Sequence, residues 1–227
     1  MSATSTVWFM VGLDSLMIVY TLWVLSRNYS SKVLIGVGAT LLAWLAVLHL
    51  GLSTKSIFPE DISGIVFLSL VFVAVGIVGL LLLAMPSVRK LVFGLSQEQL
   101  LLMQGIRVFF GATLLMQASL GSMPLVFGIV DGWTHISAGF FGLIAAFSLA
   151  TGNNGVRRAW FANIFGLSDI LIVASTLSFV ILSDITPHGS MMYAVFLPAP
   201  LWLWFHVVSI LKLMRSEQQS TYQEARA

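Results

Sequence analysis

The stretch ISGIVFLSLVFVAVGIVGLLLLAM, Ile62 to Met85, contains no charged side chain. A helix rises ~1.5 Å per residue, so about 20 such residues cross a hydrocarbon core of ~30 Å, and this run exceeds that length. Working outward from it, apolar runs and breakers give spans at 6–25, 33–52, 62–85, 100–120, 131–150, 159–182 and 191–214. The pattern predicts an all-α polytopic transmembrane helical bundle of about seven spans. The alternation that a transmembrane barrel requires is absent.

Composition points the same way. Hydrophobic residues make up 58% of the 227-residue chain and charged residues 9%, against about 25% charged in a soluble domain. Mean hydropathy is +0.98. The expectation is a single bundle domain over 1–214, followed by a polar, mobile cytoplasmic tail over 215–227. MSATSTVWFM lacks the positive start of a secretory signal, and its apolar run continues past Asp14 to Leu25, which predicts a retained first span. No cysteine is present, which excludes disulfides, iron–sulfur clusters, thiolate zinc sites and a catalytic thiol. No serine stands with histidine and aspartate at a hydrolase spacing, and no glycine run has phosphate-loop spacing. The net charge of +2 comes from basic residues scattered among loops, which fits membrane orientation and not nucleic-acid binding.

Basic loops near span ends resist translocation. Arg27 and Lys32, Arg89 and Lys90, Arg157 and Arg158, and Lys212 and Arg215 all fall on one side of the seven spans. On the other side Lys55 is offset by Glu60 and Asp61, SLGSMP carries no base, and Asp184 stands with His188. The N-terminus is therefore expected outside and the C-terminus in the cytoplasm. Pro59-Glu60-Asp61 predicts a helix start, Ser96 to Gln99 a capping box, and Pro187 the approach to the last span. Small residues at Gly76 and Gly79, and at Ala138 and Gly142, predict close helix contacts. Trp8, Trp133 and Trp160 near span ends suit interfacial anchoring.

Ionisable groups inside a bilayer are costly and ask for partners. They are Asp14, His49, Arg107, Asp131, His135, Asp169 and His206, with Gln104, Gln117 and Asn163 as neutral companions. Depth along the assigned spans predicts two layers. Arg107, Asn163, Asp169 and His206 form an inner polar site with Asp14 just above it, and His49, Asp131 and His135 form an outer one. In the inner layer Arg107 and Asp169 can be a locked ion pair or part of a relay. Pro198 and Pro200 in LPAPLWLWF predict a broken last helix beside His206, a device transporters use for binding sites. In the outer layer, Asp131 and His135 share a face at i, i+4 spacing. Asp131 then either caps its span or joins His135 and His49 as a metal triad, and the two histidines are a candidate haem pair.

The motifs RVFFG (Arg107 to Gly111), PLVF (Pro124 to Phe127), GWTHISAG (Gly132 to Gly139), NIFGLSD (Asn163 to Asp169) and LPAPLWLWFH (Leu197 to His206) carry a resemblance. Over residues 104–212 the chain resembles a group of small bacterial polytopic membrane proteins of unknown function. The resemblance implies a multi-pass location in a bacterial inner membrane and groups Arg107, Asn163, Asp169 and His206 as a set. It implies no substrate. The chain departs from the group at His135, where an acid is usual. Retinal binding is excluded, because Lys212 lies at the end of the last span instead of within it.

Three functions fit this pattern. The first is a small-solute or proton-coupled transporter or channel using the intramembrane polar site. The second is a redox protein holding haem or a transition metal at His49, His135 and Asp131, and the third is an assembly subunit bound to other membrane proteins. The lipid bilayer is the partner common to all three, and a small solute or ion belongs to the first.

Overall fold

Long apolar runs offer the backbone few polar partners outside themselves, so the chain satisfies its amides within helices. The computed structural model describes residues 3–59, 61–184 and 189–224, and no strand occurs among them. In chain order the helices are α1 (Ala3–Leu25), α2 (Ser31–Ser53), α3 (Gly64–Ala84), α4 (Pro86–Gly94), α5 (Gln97–Leu102) and α6 (Arg107–Ser119). They are followed by α7 (Leu125–Thr151), α8 (Gly155–Thr176), α9 (Met191–Phe196) and α10 (Pro198–Glu224). A 3₁₀ turn, Met103–Ile106, joins α5 to α6, and a π-turn, Leu177–Ile181, extends α8. Seven helical stretches are long and apolar enough to cross a membrane: Ser5–Leu25, Ser31–Ser53, Gly64–Ala84, Gln97–Ser119, Leu125–Thr151, Gly155–Asp184 and Met191–Ser216.

The bundle inverts the pattern of a water-soluble protein. Val126 is 77% exposed and Ile35 and Phe147 are each 71% exposed, whereas Asp14, Arg107, Asn163 and His206 are buried. Large apolar side chains on the outside and charges on the inside are what a hydrocarbon surround selects.

Local chemistry explains several boundaries. Ser96 caps α5 by accepting from the Gln99 amide, and the Gln99 side chain accepts from the Ser96 amide, which completes the expected capping box. Gly152, at φ 74°, ends α7 in the left-handed conformation that glycine tolerates. Leu197 departs from helical geometry at φ −118°, ψ −64°, because Pro198 disfavours a helical predecessor. The break falls six residues into the last span rather than near its middle. Both prolines stand in the first turn of α10, where a missing N–H costs no helical bond.

Other expectations are revised. Pro124 precedes α7 and the apolar LVFGIV segment continues the helix, so Asp131 lies in its second turn and does not cap it. The helix after Pro59 starts at Gly64 with no acid in its first turn, and Asp61 precedes it. Glu60, Pro187 and His188 lie outside the described residues. Residues 215–224 continue α10 as helix. Gly79 packs against the Trp204 ring, as a close contact requires, but nothing approaches Gly76.

One end of the bundle gathers the basic segments. Arg27 lies 3.8 Å from Glu98, the Asn28 amide donates to Gln99 Oε1 at 2.7 Å, and Tyr29 Oη donates to the Leu91 carbonyl at 2.6 Å. Lys212 donates to the carbonyls of Phe93 and Leu95, capping the C-terminal end of α4 with a cation.

Candidate functional site

Three close approaches at glycines set the site. On α6 and α7, a Cβ at Gly132 would stand 2.9 Å from the Gly111 carbonyl, and one at Gly111 would stand 2.8 Å from the Ile136 amide. Only glycine at both positions lets these helices touch, and the contact brings Arg107, one turn before Gly111, to the level of His135. On α8, a Cβ at Gly166 would collide with the His206 ring and lie 3.2 Å from Arg107 Nη1, so a third glycine makes room for both side chains.

From these approaches a chain of polar contacts runs through four spans. Asp131 Oδ1 lies 2.8 Å from His135 Nδ1, which lies 3.3 Å from Asp169 Oδ2. Asp169 Oδ2 accepts from Arg107 Nη2. Arg107 Nη1 faces the Gly166 carbonyl at 3.2 Å and His206 Nε2 at 3.3 Å. His206 Nδ1 lies 3.0 Å from Asn163 Oδ1, Asn163 Nδ2 donates to Ser209 Oγ at 2.6 Å, and Gln97 Nε2 donates to the same oxygen. Because Asn163 Oδ1 and Arg107 can play only one role each, His206 carries its proton on Nδ1 and accepts at Nε2. Trp202 walls the centre, with its ring centroid 5.3 Å from the Arg107 guanidinium carbon and 5.8 Å from the His135 ring.

The predicted inner set of Arg107, Asn163, Asp169 and His206 is thus in mutual contact. The two-layer expectation changes, however. Asp131 and His135 join Asp169 in the same cluster, and His49 does not accompany them. His49 Nδ1 lies 2.7 Å from Tyr193 Oη, and its ring stands 5.3 Å from Trp8. Of the expected metal set, Asp131 and His135 therefore stand with Asp169 in place of His49, and the ligand atoms of these three lie within 4.8 Å of one another. A helix periodicity reports which residues share a face, but not which neighbouring span supplies the third ligand. The haem pair is not built either. His135 lines a central cavity of about 70 Å³ that His49 does not reach, and that volume holds a few waters, not a macrocycle.

Asp14 stands apart from this chain. It is 0% exposed, and neither carboxylate oxygen has a hydrogen-bond partner. Ser209, Gln97, Gly166 and Trp202 were not singled out from sequence. Ser209 had a signal, since it is a hydroxyl one turn after His206, whereas Gly166 looked like any packing glycine.

Two openings reach the cluster. The central cavity is lined by Asp131 and His135 among apolar side chains from α1, α3, α6, α8 and α10, including Met10, Val71, Phe110 and Trp202. A cleft of about 340 Å³ between α7 and α8 is lined by Asp131 and Asp169, with Thr134 and Ser168 beside them. The centre thus gathers two carboxylates, Asp131 and Asp169, around the His135 imidazole and one guanidinium, Arg107.

The family model described as Domain of unknown function (DUF8737) matches residues 65–214, and the chain belongs to that family. No curated protein and no solved structure matches the chain.

Proposed function

We propose that this member of the DUF8737 family is a multi-pass membrane protein that carries a small cation across the bilayer through the Asp131–Asp169–Arg107 centre. The carrying observation is a second buried carboxylate beside the Asp169–Arg107 pair. A structural ion pair accounts for Asp169 and Arg107, but Asp131 has no fixed cation of its own inside an apolar bundle. A second carboxylate there is expensive to ionise, and a mobile cation that visits and leaves offsets the cost. The polar contacts from His206 to Gln97 extend the path toward the end of the bundle that holds the basic loops. A pure assembly role explains the packing glycines but gives no reason for the second carboxylate.

The orientation with N-terminus outside and C-terminus in the cytoplasm rests on the distribution of Lys and Arg. Under that orientation the Asp131 end of the path faces outward and Gln97 faces the cytoplasm.

The test is cation flux in proteoliposomes containing the full chain, followed with pH-, alkali-metal- and divalent-sensitive dyes. Wild type is expected to pass at least one cation faster than protein-free vesicles, with Asp131→Asn and Asp169→Asn reduced to background. Flux of every cation equal to protein-free vesicles overturns the proposal.

A further inference from the structure

We infer that Asp131, His135 and Asp169 form a binding site for a divalent first-row transition-metal ion. The inference rests on the cation reading above and names the cation. Asp131, His135 and Asp169 are 4%, 8% and 6% exposed, and Asp131 Oδ1, His135 Nδ1 and Asp169 Oδ1 all lack a hydrogen-bond partner. Three buried groups whose ligand atoms lie within 4.8 Å of one another, each with an unpartnered polar atom, are what a metal satisfies.

The geometry separates a metal from a shared proton. Asp131 Oδ1 and Asp169 Oδ2 lie 2.8 Å and 3.3 Å from His135 Nδ1, yet neither is a hydrogen-bond acceptor for it. At such short range only direction can fail, so the Nδ1 axis points past both oxygens. Co-ligands of one ion stand in that relation: the ion occupies the axis and the two carboxylates flank it. Neighbouring ligands of a tetrahedral ion with bonds of ~2.1 Å lie about 3.4 Å apart, and the ligand atoms of Asp131, His135 and Asp169 lie within 4.8 Å of one another.

The ligand types narrow the ion. One imidazole and two carboxylates suit Zn²⁺, Mn²⁺, Fe²⁺ or Co²⁺, whereas Ca²⁺ and Mg²⁺ favour oxygen throughout and Cu⁺ favours sulfur. Arg107 holds Asp169 Oδ2 and leaves Oδ1 free, the way an outer partner orients a ligating carboxylate. Its fixed positive charge also weakens the ion's hold, which suits release. The central cavity and the α7–α8 cleft leave room for water to complete the coordination.

The experiment titrates Zn²⁺ and Co²⁺ into the purified full-length protein in detergent, read by elemental analysis after desalting and by the visible absorption of Co²⁺. One ion per chain is expected, with the Co²⁺ band bleached by Zn²⁺. Asp131→Asn and His135→Ala should weaken binding at least 100-fold, while His49→Ala binds as wild type. His135→Asp, which keeps a ligand, should restore binding with an altered Co²⁺ band and so separates ligand loss from misfolding. No stoichiometric Zn²⁺ or Co²⁺, or binding indifferent to Asp131→Asn and His135→Ala, overturns the inference. Proton or alkali-cation flux in vesicles without metal binding leaves the transport proposal standing and sinks the metal alone. Stoichiometric metal with no flux of any cation does the reverse.

Discussion

The pairing of Arg107 with Asp169 makes a quantitative prediction. Arg107 is 0% exposed and Asp169 6%, so either charge left alone has no water to recruit. Removing one partner of such a pair costs about 3–5 kcal/mol, because the survivor is buried and uncompensated. Arg107→Met should be the worse single change, since it leaves two carboxylates, Asp169 and Asp131, around one histidine with no guanidinium. For a chain of this size each kcal/mol corresponds to about 2–4 °C, so each single variant should lower Tm by roughly 6–20 °C. In Arg107→Met/Asp169→Asn neither charge remains. The double variant should therefore lie above the sum of the singles by about 2–3 kcal/mol of coupling, or roughly 4–12 °C. The assay is thermal unfolding in detergent followed by intrinsic fluorescence, for which the chain supplies seven tryptophans. Strictly additive losses, or a single variant melting with wild type, would refute the pairing.

Other regions give sharper yes-or-no outcomes. Gly79→Leu displaces the Trp204 ring, whose Nε1 donates to the Val75 carbonyl at 2.7 Å, and should lose about 1–3 kcal/mol by overpacking. Gly76→Leu, with nothing within 4 Å, should melt as wild type in the same thermal scan. Gly166→Ala pushes on His206 and Arg107 together, so vesicle flux should fall even where the protein remains monodisperse on a sizing column. Lys212→Met strips the cation from the Phe93 and Leu95 carbonyls and should cost about 1.5–3 kcal/mol in a denaturation midpoint, with Lys212→Arg partly restoring it. Because the chain has no cysteine, single introduced thiols report orientation cleanly. Ser122→Cys should react with an impermeant maleimide in intact cells and Arg89→Cys only after permeabilisation, and the opposite pattern would reverse the bundle.

Span 3 shows how much could be read in advance. Ile62 to Met85 is long, apolar and uncharged, and its helix occupies Gly64–Ala84, satisfying the backbone amides within the segment itself. The capping box at Ser96 was equally legible, since both partners lie within four residues. Asp131 was harder. Whether a polar residue after Pro124 caps a helix or rides inside one depends on whether the intervening LVFGIV winds up, and an apolar segment of that length is compatible with either.

What the amino-acid order determined, then, was everything that depends on neighbours along the chain: seven lipid-length helices, their punctuation, and the pairing of Asp131 with His135 one turn apart. Only the tertiary structure decided that His135 meets Asp169 and not His49, and that Arg107, Gly166 and His206 share one small volume. The reason is physical. Periodicity fixes the face a residue occupies on its own helix, but the rotation and height of one helix against another are set by where glycines such as Gly111, Gly132 and Gly166 allow backbones and side chains to close in.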